Sequence, residues 1–213
     1  AVKVIDTFGD GSVSYGNGRS NDIAVVAEDP KANLPNQFTI CASLKSKKGP
    51  NILSFFAILD DQGSPLLSLL LFNFERSTRQ RMILSGTMED AGAVTEIDIV
   101  PMHRYWVHAC LAFDATTGHA VVVSNGKAII DTTMNPSKLV GTSLANNLFF
   151  GNFFFGAWHT GRGSVANLNV YSRLLSEEVM MDKTSGAGCG VSDGDYLSWS
   201  NIQLQLEGKA LWT

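Results

Sequence analysis

Charged clusters of one sign and long apolar runs are both scarce in this sequence. Its 213 residues carry 16 Lys and Arg against 20 Asp and Glu, a net charge of −4, with no basic block. Nucleic-acid binders usually carry a concentrated basic face, so this balance argues against a nucleic-acid partner. The most apolar run, 65–72, stops at Asn73, well short of the roughly 18 residues that a membrane-spanning helix needs. We therefore expect neither a nucleic-acid partner nor a membrane-spanning segment.

Motifs of metal and nucleophilic chemistry are also missing. The sequence has no H-x-x-x-H and no C-x-x-C, and His103 and His108 lie five apart on a predicted strand, so they point to opposite faces. No E-x-D-x-x-E run marks a glycosidase strand. The sequence GVSDG at 190–194 follows a glycine-rich loop and precedes a strand, whereas a nucleophile elbow needs a strand before it and a helix after it. We expect no enzymatic activity.

Cysteine is rare as well, with three residues at Cys41, Cys110 and Cys189. Cys41 and Cys110 lie in the middle of predicted strands, and Cys189 lies in a glycine-rich loop. A bond between the two strand cysteines would close a loop of 69 residues and would stabilise the fold by about 4 kcal/mol. Two buried free thiols are the alternative. In a disulfide-bonded chain Cys189 would be free or intermolecular.

What the sequence does contain is a series of short strands, clearest at 103–130. A first strand at 105–113 ends in a turn where Gly118 can adopt a positive φ. A β-branched strand follows at 119–123, and then Asn125-Gly126, the strongest short signal for a type I′ hairpin. The chain returns at 127–130. This stretch predicts an antiparallel meander.

The whole chain repeats this pattern. About a dozen short strands alternate with turn signals, with no internal repeat and no linker. The first, at 2–8, alternates weakly and is expected at a sheet edge, and another is expected at 196–199. One short helix is expected at about 174–182, where Ser176 is a good N-cap and Glu177 and Glu178 fall in the first turn. The sequence predicts an all-β fold: a single domain over 1–213, built as a two-sheet antiparallel jelly-roll sandwich with one short helix.

Several phrases in order resemble the pentraxin and laminin-G-like group. They are FTIC at 38–41, HAC at 108–110, NG at 125–126, VYSRLLSEE at 170–178, and the closing stretch from YLSW at 196–199 to LW at 211–212. The order and spacing agree over roughly 36–212. The resemblance implies a jelly roll with a Cys41–Cys110 disulfide, secretion and assembly into rings. It also implies a helix over one face and calcium-dependent ligand binding on the other.

The calcium segments depart from the pentraxin pattern. After Gly151, where pentraxins carry acidic and amide ligands, this chain has Asn152 followed by three phenylalanines. Calcium takes six to eight oxygen ligands, and phenylalanine supplies none. Asp60 and Asp61 are the nearest match to the family's other calcium segment. We therefore expect the pentraxin two-calcium site to be absent, with Asp60 and Asp61 as the candidate metal ligands if any calcium binds.

The aromatic segment 149–159 holds five phenylalanines and one tryptophan. Alternate residues of a strand face opposite sides, so these rings cannot all enter one core. They fit a strand buried on both faces, a subunit contact, or a site for an apolar small molecule. The candidate ligand or interface residues are Asn152, Phe153, Phe154, Phe155, Trp158 and His159.

These observations favour a secreted, non-enzymatic, lectin-like module that binds a glycan and forms homo- or hetero-oligomers. Ala1, with no initiator Met before it, fits a mature N-terminus, and no N-x-S/T sequon is present. A first alternative is a carrier of an apolar small molecule, such as a pigment or lipid, at a Phe-rich subunit interface. A second is an adhesion or structural module of a larger ectodomain.

Overall fold

The computed structural model describes residues 5–8, 23–26, 33–46, 51–62, 64–73, 80–86, 97–99, 106–135, 139, 141–151, 162–185, 193–206 and 211–212. These ranges hold fourteen strands and one helix. The elements are β1 (Ile5–Phe8), β2 (Ile23–Val26), β3 (Gln37–Ser46), β4 (Asn51–Leu59), β5 (Pro65–Asn73), β6 (Gln80–Ser85), β7 (Ile97–Ile99), β8 (Val107–Asp114), β9 (His119–Ser124), β10 (Lys127–Thr133), β11 (Leu148–Gly151), β12 (Arg162–Tyr171), α1 (Glu177–Thr184), β13 (Leu204–Leu206) and β14 (Leu211–Trp212).

The strands form two seven-stranded sheets whose neighbours all pair antiparallel. Sheet A has the order β10-β9-β8-β3-β12-β1-β14, and sheet B has the order β13-β2-β11-β4-β5-β6-β7. The predicted all-β, two-sheet antiparallel jelly roll is confirmed. β1 was expected at an edge, but it lies between β12 and β14 inside sheet A.

The meander predicted from local signals is β8, β9 and β10. Asn125 and Gly126 have φ values of 47° and 76°, the positive pair that a type I′ turn requires. Gly118 has a φ of 75° in the preceding turn, where a side chain would be strained. Turn chemistry alone therefore placed this hairpin correctly.

The core lies between the two sheets. Phe38 of β3 and Phe113 of β8 face each other across directly paired positions, are fully buried, and have ring centroids 5.6 Å apart. Phe55 and Phe56 of β4 are buried in the same cluster. Consecutive residues of a regular strand would face opposite sides, and both enter the core because the β4–β5 register shifts between Ser54 and Phe56.

A second irregularity lies in β12. Val165 and Leu168 are three residues apart, so a regular strand would place them on opposite faces, yet both are fully buried in the core between the sheets. The register against β3 shifts between Ala166 and Asn169, and Asn167 has a φ of 56°. This bulge returns Leu168 to the core side and leaves Asn167 half-buried.

Helix α1 begins at Glu177, later than the predicted start at about 174, and ends at Thr184. Ser176 is the N-cap, as expected, and its Oγ accepts a hydrogen bond from Val179 N at 3.4 Å. Leu175 before the cap and Met180 in the first turn both join the cluster under the helix, which is the arrangement of a hydrophobic staple. The staple explains why residues before the cap stay outside the helix.

The prediction of a strand at 196–199 is wrong. This segment forms a turn that pairs with β12 through a single bridge between Leu197 and Val170. The buried Asn169 side chain holds it, because its Oδ1 accepts hydrogen bonds from Gly194 N and Trp199 N, each at 3.1 Å. The Asn169 side chain thus accepts backbone hydrogen bonds that would otherwise go to a neighbouring strand.

Candidate functional site

The disulfide lies on the outer face of sheet A. Cys41 of β3 and Cys110 of β8 are directly paired and bonded, as the family resemblance implied. The helix lies over this bond, and Tyr171, Leu175 and Met180 pack with it in one buried cluster. This part of the outer face is therefore closed by protein, and a ligand surface on sheet A must lie beyond the helix.

The candidate metal ligands Asp60 and Asp61 lie in the turn between β4 and β5. Asp60 Oδ1 accepts hydrogen bonds from Gln62 N at 3.0 Å and Ser64 N at 2.7 Å. Asp61 Oδ1 accepts a hydrogen bond from Asn147 Nδ2 at 3.3 Å. Asp60 thus shapes its own turn, and Asp61 ties that turn to the residue that precedes β11.

These residues are a poor match to a calcium ion. Asp60, Asp61 and Asn147 bring few oxygens against the six to eight that calcium takes, and Asp60 Oδ1 already accepts two backbone donors. Among the described residues, no group of three His, Cys, Asp or Glu side chains could hold a metal. The exposed pair His119 Nε2 and Asp131 Oδ1, 2.7 Å apart, belongs to no such group either.

The predicted ligand or interface residues Asn152, Phe153, Phe154, Phe155, Trp158 and His159 lie outside the described residues, so their role stays a prediction. The described chain leads up to them through β11. Phe149 of β11 pairs with Ala57 of β4 and forms a buried cluster with Ala57 and Leu59. Two residues further on, Gly151 pairs with Ser54, whose buried Oγ has no hydrogen-bond partner among the described residues. Sheet B therefore has an apolar face at this point.

The sequence analysis missed a polar cluster on the outer face of sheet A. Ser43 Oγ and His108 Nδ1 are 2.7 Å apart, Asn167 Nδ2 lies 3.4 Å from Ser43 Oγ, and Asn125 Oδ1 accepts a hydrogen bond from His108 N at 3.1 Å. We call Ser43, His108, Asn125 and Asn167 the His108 cluster. His108 had been considered only as a metal ligand. The sequence signal for this cluster was Asn167, which interrupts the apolar alternation of β12.

Burial lowers the pKa of His108 below its ordinary value near 6.5. As the pH falls, the His108 side chain therefore binds a proton in the unfolded chain before it does so in the folded protein. This favours unfolding, so the stability that His108 contributes above about pH 7 is lost as the pH falls through the folded pKa. We expect the melting temperature of His108→Gln to fall less than that of the wild type between pH 7.5 and 5.5, measured by calorimetry. Equal falls in both proteins would contradict this assignment.

Two antiparallel sheets of seven strands, with one helix over a disulfide that joins neighbouring strands, define a pentraxin-like jelly roll. A solved structure of similar fold is the heptameric SAP-like pentraxin from Limulus polyphemus, with a TM-score of 0.67, 14% identity, and coverage of 99% of this chain and 94% of that one. At this identity the likeness shows the fold alone. No protein-family model matches the chain, and no curated protein matches it in sequence.

Two further structures show how widely this fold is used. The CBM40 of the Ruminococcus gnavus IT-sialidase has a TM-score of 0.51 and 18% identity, with coverage of 79% of this chain and 97% of that one. The extracellular region of zebrafish Gpr126/Adgrg6 has a TM-score of 0.52 and 12% identity, with coverage of 99% of this chain and 26% of that one. The helix identified among the described residues is far too short and polar to cross a membrane.

Proposed function

We propose that this protein is a secreted, non-enzymatic, lectin-like module that binds glycans without calcium. The observation that carries the proposal is the whole-chain similarity to a pentraxin, together with the similarity of most of the chain to a carbohydrate-binding module. A disulfide in a soluble fold supports an oxidising, extracellular location. Ring or other oligomeric assembly is part of the proposal, and the heptameric state of the Limulus pentraxin supports it.

Independence from calcium has two supports. Asp60 Oδ1 accepts two backbone hydrogen bonds within the β4–β5 turn, and Asp61 Oδ1 accepts one from Asn147 Nδ2. The residues that follow Gly151 include Phe153, Phe154 and Phe155, which bring no oxygen ligand. Recognition then depends on neutral hydrogen-bonding groups, which sugar hydroxyls match because each can both donate and accept.

A glycan array, probed with the purified protein in calcium and again in EDTA, tests this proposal. We expect the same glycans to be bound in both buffers, with affinities by calorimetry that agree within about twofold, roughly 0.4 kcal/mol. A calcium-dependent lectin on the same array is the control that EDTA is effective. Binding that EDTA abolishes would contradict the calcium-free mechanism, and the absence of any bound glycan would contradict the lectin-like function.

A second candidate function is an adhesion or structural module of a larger ectodomain. The similarity to one quarter of the Gpr126/Adgrg6 extracellular region favours it. Beads coated with the protein provide the test, since an adhesion module would aggregate them in the absence of any glycan. Beads that stay dispersed would remove this candidate.

The carrier hypothesis stays a prediction, because its residues Phe153, Phe154 and Phe155 lie outside the described residues. The buried apolar cluster of Phe149 with Ala57 and Leu59 is compatible with it, because Phe149 lies just before these three phenylalanines along the chain. Native mass spectrometry in chelator would support a carrier if an oligomer retained a stoichiometric extra mass that denaturation releases. A bare oligomer would rule out a tightly held ligand.

A further inference from the structure

We propose that the His108 cluster binds a neutral, hydroxyl-rich sugar directly, with no metal ion. The inference rests on the proposed glycan-binding function and gives it a site. The cluster lies on sheet A, whereas the Asp60–Asp61 turn belongs to sheet B. A sugar at the His108 cluster would therefore be bound by the sheet opposite the one that carries the predicted calcium ligands.

The cluster brings together four separate parts of the chain. Ser43 lies on β3, His108 on β8 directly opposite it, Asn125 in the β9–β10 turn, and Asn167 at the bulge of β12. Ser43 is buried at the bottom, and the other three side chains are half-buried around it. The Cys41–Cys110 pair lies two residues away on the same two strands and on the same face of the sheet. The disulfide and helix α1 therefore border the cluster on one side.

The hydrogen bonds determine which nitrogen of His108 carries the proton. Ser43 Oγ accepts from Asn167 Nδ2 and lies 2.7 Å from His108 Nδ1. Since Ser43 is buried, its hydroxyl proton needs an acceptor, and within the described part of the chain His108 Nδ1 is the group bonded to Ser43 Oγ that can accept it. His108 Nδ1 is therefore unprotonated, and the neutral ring carries its proton on Nε2.

The cluster then presents a mixed set of polar atoms that no described hydrogen bond uses. His108 Nε2–H and Asn125 Nδ2 are donors, and Asn167 Oδ1 is an acceptor. A sugar hydroxyl donates one hydrogen bond and accepts others, so adjacent hydroxyls of a hexose match such a set. Because none of these groups carries a full charge, the set favours a neutral sugar over a sulfated or phosphorylated one.

Both asparagines occupy positions that glycine would fill with less strain. Asn125 has a φ of 47° and Asn167 a φ of 56°, in the left-handed region where a side chain is disfavoured. Bulges commonly redirect a side chain beside a functional site, and the bulge at Asn167 brings its amide to Ser43. Asn125 is the residue that a type I′ turn favours, so strain supports a role for the side-chain amide only at Asn167, whose positive φ lies at the bulge.

Glycine substitutions test the two amides because they preserve the backbone. Asn125→Gly and Asn167→Gly keep the positive φ and remove only the side-chain groups. We expect each to weaken binding of the glycan found on the array by about fivefold to tenfold, the effect of one neutral hydrogen bond. His108→Gln keeps an N–H near the position of Nε2, whereas His108→Asn does not, so we expect Gln to retain more affinity than Asn.

Asn146→Gly, at an exposed position with a φ of 59° outside the cluster, makes the same change as the test variants and is the matched control that should bind like the wild type. Imidazole nitrogen shifts by NMR should show protonation at Nε2 of His108 and a change when the sugar is added. If the wild type binds a glycan and all four cluster variants bind it with the same affinity, the inference is overturned and the proposed function stands. A wild-type protein that binds no glycan would overturn both, and protonation at Nδ1 would overturn the hydrogen-bond assignment on which the site depends.

Discussion

Replacing Phe113 by alanine should lower the free energy of unfolding by about 3–5 kcal/mol. Phe113 is fully buried in the middle of the core, and its ring lies 5.6 Å from that of Phe38 on the neighbouring strand. Alanine would remove the apolar surface of the ring and leave a cavity between the two sheets. The hydrogen bonds within each sheet keep the strands in place, so the cavity would not be filled by movement of the backbone. Urea denaturation followed by tryptophan fluorescence would measure the loss.

Phe113→Leu is the matched control, because leucine fills much of the volume and should cost only about 1–1.5 kcal/mol. Phe38→Ala and the double variant complete a mutant cycle that isolates the interaction of the two rings, expected at about 0.5–1.5 kcal/mol. A loss under about 1 kcal/mol for Phe113→Ala would mean that this part of the core is not packed as described.

Removing the disulfide should cost about 4 kcal/mol, the chain-entropy value for a closed loop of 69 residues. The double variant Cys41→Ala, Cys110→Ala tests this without leaving buried thiols. Both positions are buried under α1, and alanine keeps them apolar. We expect a lower urea midpoint for the variant in non-reducing buffer.

Reductant supplies the internal control for this experiment. It should lower the stability of the wild type towards that of the double variant and should leave the double variant unchanged. Phe113→Ala should remain sensitive to reductant, because its core defect is separate from the disulfide. Wild-type stability that reductant does not change would contradict a contribution of the bond to folding.

The parts of the fold that depend on neighbouring residues could be predicted from the sequence. The hairpin at Asn125-Gly126 requires only that both residues adopt positive φ, and Ser176 with two acids behind it marks a helix start. The strand series predicted two antiparallel sheets. The start of α1 was predicted too early, because the packing of Leu175 against Met180 decides where the helix begins.

The errors occur where distant parts of the chain compete for the same backbone. The segment 196–199 has the composition of a strand, but Tyr196 N and Leu197 N both donate to Val170 O. Trp199 N donates to the Asn169 side chain, and together these bonds hold the segment as a turn. β1 looks like an edge strand in sequence, and only its pairing with both β12 and β14 places it inside sheet A. Such pairings depend on the full arrangement of strands, which local composition does not contain.

The sequence by itself determined the fold class, the turns, the helix cap and the pair of cysteines lying in strands, because each depends on residue type and local spacing. Only the tertiary structure decided what surrounds His108. Ser43 and Asn167 lie 65 and 59 positions from it along the chain, and a strand pairing and a bulge bring them together. A hydrogen-bonded cluster of this kind is set by sheet register, and register is a property of the whole fold.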